Sequence, residues 1–140
     1  MSRTNLVLRT LAAACSAAII WLPSNLAADP AKPPTKPPTV SFAEDILPLL
    51  NWRCSSCHKP GGKGYEESGL DLTSYAGVMK GTKFGPMVVP GDPQTSNLML
   101  LLDWAGHISP QIRMPHEKTK LSVCDRDAIR TWIREGAKNN

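Results

Sequence analysis

The stretch from Trp52 to Gly62 reads WRCSSCHKPGG. Cys54 and Cys57 stand two residues apart, and His58 follows directly. A thiolate is a nucleophile and a soft metal ligand, and imidazole is the commonest metal ligand among side chains. The spacing C-x-x-C-H is the one used to attach c-type haem. Two thiols add to the vinyl groups along one edge of the porphyrin, forming thioethers. Two intervening residues let one turn of backbone span that edge. The histidine after the second cysteine then falls under the iron, with neutral imidazole as the proximal ligand. These residues therefore predict one haem c, bound covalently through Cys54 and Cys57, with His58 on the iron.

Three other uses of the cysteines compete. A thioredoxin-like C-x-x-C needs a helix that starts at the motif, so that its N-terminus lowers the thiol pKa. Here a helical pattern precedes the motif and Pro60-Gly61-Gly62 follows it, which is the opposite polarity. A zinc site wants a second pair of ligands, and Cys124 with His107 or His116 is the available supply. A disulfide between Cys54 and Cys57 would leave His58 and the long loops unexplained.

For the sixth iron position, Met114 stands before Pro115 in a loop ahead of the last helical pattern. Its thioether is a soft ligand that raises the potential of a haem iron. Met79, Met87 and Met99 suit the role of core filler better. His107 and His116 read as exposed loop residues, yet either could make a bis-histidine site. Trp52, Arg53 and Arg113 are candidate donors to haem propionates, the guanidinium forks of the arginines suiting carboxylates best. Cys124, at offsets of four and eight from Ala128 and Trp132, is expected to face the core as a small hydrophobe.

The elements that position these residues follow from the rest of the chain. Residues 1–28 read as a signal peptide, with Arg3 and Arg9 ahead of the apolar LAAACSAAIIWLP and small residues for cleavage after Ala27 or Ala28. Export follows, to the periplasm or beyond the cell. Membrane association would require that this segment stay uncleaved or that Cys15 be acylated. Residues 29–40, DPAKPPTKPPTV, form a Pro-rich linker that cannot build a core. The whole chain carries 16 Lys and Arg against 12 Asp and Glu, and loss of Arg3 and Arg9 leaves +2. That charge is too weak and scattered for a nucleic-acid surface.

Residues 41–140 read as one all-α domain, with about three main helices and long loops wrapped round a bound group. Ser41 and Glu44 fit a capping box, and Phe42, Ile46, Leu49 and Leu50 make an apolar face interrupted by Pro48. That helix is expected to run into Cys54 and stop at Pro60-Gly61-Gly62. Residues 61–93 are expected to be loop with one or two short helical turns. A second helix is expected over Gln94–Trp104, capped at Asp92-Pro93, and a third over Ser122–Gly136, with Ala128, Ile129, Trp132 and Ile133 on its apolar face. Loops this long are unusual in so small a domain unless they enclose something.

The ordered set of SFAEDILPLLNWRCSSCHKPG, GLDL, VVPGDPQTSNL, RMP and LSVCDRDAIRTWIREGA resembles class I c-type cytochromes, and more closely the planctomycete-type cytochrome c domains. The resemblance runs from Ser41 to Lys138. It implies a helical fold round one haem, with first and last helices packed together and Cys54, Cys57, His58 and Met114 in the family's ligand roles. The expected function is one-electron transfer between redox partner proteins, with no catalytic group supplied by the chain. The alternative is a haem enzyme or a gas or redox sensor with an open or displaceable sixth site, where His116 could act as acid or base. A third reading is an accessory module that docks to an enzyme.

Overall fold

In a computed structural model the chain is described over residues 39–140. The signal segment and the linker up to residue 38 lie outside the described residues. Among the described residues there are five α-helices: α1 (Leu47–Arg53), α2 (Lys63–Ser68), α3 (Tyr75–Lys80), α4 (Asn97–Asp103) and α5 (Val123–Arg134). A π-helical turn, Phe42–Ile46, leads into α1, and a 3-10 turn, Pro110–Ile112, lies between α4 and α5. Among the described residues the only β pairing is an isolated bridge, Thr82 to Gly85. The all-α class is as the sequence implies. The number of helices is larger, because α2 and α3 are complete, if short, helices.

The entry to α1 shows how one proline reshapes a helix. Ser41 Oγ accepts from the Glu44 N–H at 3.2 Å, as a capping serine does. The return bond comes from Asp45, whose Oδ2 accepts from the Ser41 N–H at 2.8 Å, and not from Glu44. The Ile46 and Leu47 N–H groups reach back five residues, to the Ser41 and Phe42 carbonyls. This wider turn brings residue 45 rather than 44 over the cap. It ends just before Pro48, which has no N–H to continue the ladder.

Two other boundaries differ from expectation. The helix before the cysteines stops at Arg53, short of Pro60, and the motif forms its own turn. The helix expected from Gln94 starts at Asn97, with Ser96 as its cap residue. Asp92 instead closes the preceding turn, its Oδ1 accepting from the Gln94 and Thr95 N–H groups at 2.9 and 3.2 Å.

The core joins the first and last helical segments. Phe42, Ile46 and Leu50 are buried against Ile129, Trp132 and Ile133. Phe42 sits 5.3 Å from Trp132 and edge-on to Tyr75 at 5.2 Å, centroid to centroid. Side chains this size each contribute roughly 1.5–3 kcal/mol when fully buried. The packing of first on last helix is the one the cytochrome resemblance implies. Hydrogen bonds add to it: the Asn140 carbonyl accepts from the Ala43 N–H at 2.9 Å, and Tyr75 Oη donates to the Ala137 carbonyl at 2.9 Å. Asp103 joins α4 to α5, accepting from Arg126 at 2.5 Å and from Arg130 at 2.8 Å.

Cys124 is exposed, against the expectation that it faces the core. Eight residues at 3.6 per turn leave it about 80° round the helix from Trp132, and it lies in the first turn of α5.

Candidate functional site

The C-x-x-C-H turn is built from its own backbone. The Cys54 N–H closes α1 on the Leu50 carbonyl at 2.8 Å, and the Cys57 and His58 N–H groups then donate to the Cys54 carbonyl at 3.1 and 3.0 Å. The two following carbonyls are used as anchors: that of Cys57 accepts from Tyr65 at 3.0 Å, and that of His58 from Leu72 at 2.9 Å. The motif is thereby tied to α2 and to the Gly69–Leu72 segment. Gly64, in the first turn of α2, lies flush against the His58 ring. A Cβ there would stand 2.8 Å from Cε1 and 3.0 Å from Nδ1 and Nε2, so any larger residue would have to displace the ring or the helix.

Cys54, Cys57, His58 and Met114 all line one cavity of about 600 Å³. That is within the range of pockets that enclose a whole small ligand. Its walls are mainly aliphatic: Leu50, Leu70, Leu72 and, from α4, Leu98, Leu100, Leu101 and Leu102. The run of apolar residues in α4 thus faces two ways, with Met99 in the core and Leu100 and Leu101 half-buried on the cavity side. At the mouth, Phe84 and Ile112 are exposed.

The electrostatics of the wall suit metal ligation by a neutral imidazole. Burial lowers the pKa of His58, and the Leu70 carbonyl opposes that shift only in part. The neutral ring is the form with a lone pair for a metal. Its Nδ1 is buried without a hydrogen-bond partner. Burial pushes the Cys54 thiol up to about 11, with Arg53 and Lys118 pulling the other way and Cys57 adding to the rise. Cys54 and Cys57 are free and form no disulfide. Among the described residues no group of three or more His, Cys, Asp or Glu is placed to hold a metal ion.

Met114 is held by its backbone. Its N–H donates to the Leu101 carbonyl at 3.2 Å, and its carbonyl accepts from Trp104 Nε1 at 2.8 Å. The Met114–Pro115 peptide bond is cis.

Several expected residues fall elsewhere. Met99 and Met79 do pack in or against the core, but Met87 lies on the cavity wall as well as being buried. His116 lines the cavity with its ring about half exposed, whereas His107 is exposed and lies off the wall. Arg53 reaches the wall, and packs over Trp52 at 5.0 Å. Trp52 itself is 75% exposed and outside the cavity. Arg113 also stays off the wall: its Nε donates to the Ile108 carbonyl at 3.3 Å and its guanidinium lies over Trp104. Lys63, Lys118, Gly64 and Trp104 are not among the candidate site residues the sequence singles out. Only Trp104 carried a signal, as a large aromatic where a helix gives way to Ala-Gly.

Residues 54–115 match the family model for planctomycete cytochrome C. The matched segment begins at the first cysteine of the motif and ends one residue after Met114. It is narrower than the resemblance read from Ser41 to Lys138, and leaves α1 and α5 on either side. No curated protein and no solved structure matches the chain. A cytochrome c domain binds haem, and its family is generally one of electron carriers. The residues present fit such a group: two free thiols, a neutral imidazole with an orphaned buried nitrogen, a thioether on a pinned loop, and aliphatic walls. Among the described residues no helix is long and apolar enough to cross a membrane.

Proposed function

We propose that this chain is an exported single-haem c-type cytochrome that transfers one electron at a time between redox partner proteins. One observation carries the reading: both cysteines of the motif, His58 and Met114 line the same apolar cavity. Cys54 and Cys57 would hold the haem as thioethers, and His58 and Met114 would ligate its iron. The bound haem supplies a one-electron iron couple. The chain's own residues do the rest. The Cys54 turn and the Gly64 contact fix the imidazole, the α4 leucines exclude water, and the Leu101 and Trp104 bonds fix the methionine loop. No side chain of the cavity is required to act on a substrate. Export rests on the basic and apolar pattern of residues 1–28.

A second reading has one observation in its favour. His116 stands on the same wall, where it could serve as an acid or base beside a displaceable sixth site. The two readings part on the absorption spectra of the protein purified from cells that mature c-type haem. The carrier reading expects a near-infrared sulfur-to-iron band when oxidised and slow carbon monoxide binding when reduced. Met114→Ala abolishes the band, and Met87→Ala preserves it. Rapid carbon monoxide binding by the unaltered protein, with no sulfur band, transfers the lead to the enzyme or sensor. A closed low-spin iron without the band, lost in His116→Ala, points to bis-histidine ligation.

A further inference from the structure

Trp104 occupies an unusual place. It is the C-terminal cap of α4, at φ 53°, a left-handed conformation in which glycine or asparagine is the ordinary residue. A bulky residue in that conformation carries backbone strain, which directs attention to what its side chain does. Its indole Nε1 donates to the Met114 carbonyl at 2.8 Å, and the bond is partly buried. The ring is gripped by two cations, with the Arg113 guanidinium 5.6 Å and the Lys120 ammonium 5.5 Å from its centroid. Lys120 Nζ also donates to the Asp103 carbonyl at 2.5 Å, one residue before the indole. A cation over the ring withdraws charge from it and makes the N–H a better donor. The second backbone bond of Met114, to the Leu101 carbonyl, comes from the same helix. The end of α4 therefore grips the methionine residue at both its N–H and its carbonyl.

We propose that Trp104 is the positioning residue for the sixth ligand, holding the Met114 backbone so that its thioether stays on the iron; this rests on the Met114 ligation proposed above. The indole does not touch the iron. It acts by making departure of Met114 cost a hydrogen bond as well as the iron–sulfur bond.

The test uses the full haem-bearing protein and titrates its oxidised form with imidazole, which competes with Met114 for the iron. Trp104→Phe keeps the ring and removes the donor. Trp104→Gly removes the donor and suits the left-handed backbone, so it reads the same loss if the phenylalanine variant does not accumulate. Trp132→Phe is the matched control, since Trp132 is buried and its Nε1 donates to the Lys138 carbonyl at 2.8 Å, outside the cavity lining. Loss of one hydrogen bond should let imidazole bind roughly fivefold to tenfold more tightly in both Trp104 variants. The sulfur band should fade at lower temperature, and Trp132→Phe should leave the imidazole affinity unchanged. Unaltered imidazole affinity in the Trp104 variants overturns the proposal, as does an equal change in Trp132→Phe. Absence of the sulfur band in the unaltered protein is a different result. It removes Met114 as the ligand, and the proposal falls with it.

Discussion

Gly64→Ala tests whether the His58 ring is held by contact with the backbone of α2. The added Cβ would lie 2.8 Å from Cε1 and 3.0 Å from both ring nitrogens. Comfortable carbon contacts begin near about 3.5 Å, so ring and helix must separate by roughly 0.7 Å. Neither can do so freely. His58 is bonded through its N–H to Cys54 and through its carbonyl to Leu72, and Tyr65 ties α2 to Cys57. Overpacking of this kind costs about 1–3 kcal/mol. The substitution also returns up to about 1 kcal/mol by replacing glycine in a helix. The strain should win, leaving a net loss of about 1–2 kcal/mol. Gly106→Ala supplies the comparison, because nothing lies within 4 Å of its Cβ position. It should be neutral or stabilising by up to about 1 kcal/mol. Urea unfolding of the two haem-bearing variants gives the stability difference, and the oxidised spectrum shows whether the imidazole has moved. Equal stability for the two variants, with an unchanged spectrum, would refute the reasoning.

Three further outcomes follow from the fold. Asp103→Asn should cost about 1–3 kcal/mol in thermal or urea unfolding, because two arginines of α5 lose a charged acceptor. Burial pushes the Asp103 carboxyl up, but hydrogen bonds and charge from Arg130 and Arg126 more than reverse it, so its pKa lies below the usual value. A depressed carboxylate stabilises the fold fully above an ordinary pKa of about 4 and loses that contribution as pH falls through the folded value. The gap between the unaltered protein and Asp103→Asn should therefore narrow below about pH 4. Ser96→Ala should cost about 1–3 kcal/mol, since the fully buried hydroxyl accepts from the Val89 N–H at 2.9 Å and donates to the Asp92 carbonyl at 2.8 Å. Cys124→Ser should change stability by no more than about 0.5 kcal/mol, as expected of an exposed position without a partner.

The legible parts of this chain were those governed by short-range rules. Ser122 caps α5 as its position suggested, its Oγ accepting from the Asp125 N–H at 3.0 Å, and Ile129, Trp132 and Ile133 are buried as their spacing required. The C-x-x-C-H spacing led to a turn whose three chemical side chains share one wall. What eluded the sequence depends on contacts between distant segments or on competition among local ones. Pro48 was visible as a disturbance, but its resolution into a π-helical turn needed the Ser41 and Phe42 carbonyls as acceptors. Asp92 had two available jobs, and closing its own turn won over capping the helix. Arg113 and Trp52 looked like donors to a bound group because sequence gives no direction to a side chain. Gly64 and Trp104 act on His58 and Met114 through a close approach and a hydrogen bond that only the folded chain brings about.

The central claim is covalent attachment of one haem through Cys54 and Cys57. It is tested most directly by the intact mass of the denatured protein from cells that mature c-type haem, beside the Cys54→Ala/Cys57→Ala double variant. The unaltered polypeptide should be heavier by one haem and keep its haem stain on a denaturing gel, and the double variant should have the bare polypeptide mass. A denatured, unaltered protein at the bare mass, with its haem lost to solvent, would contradict it.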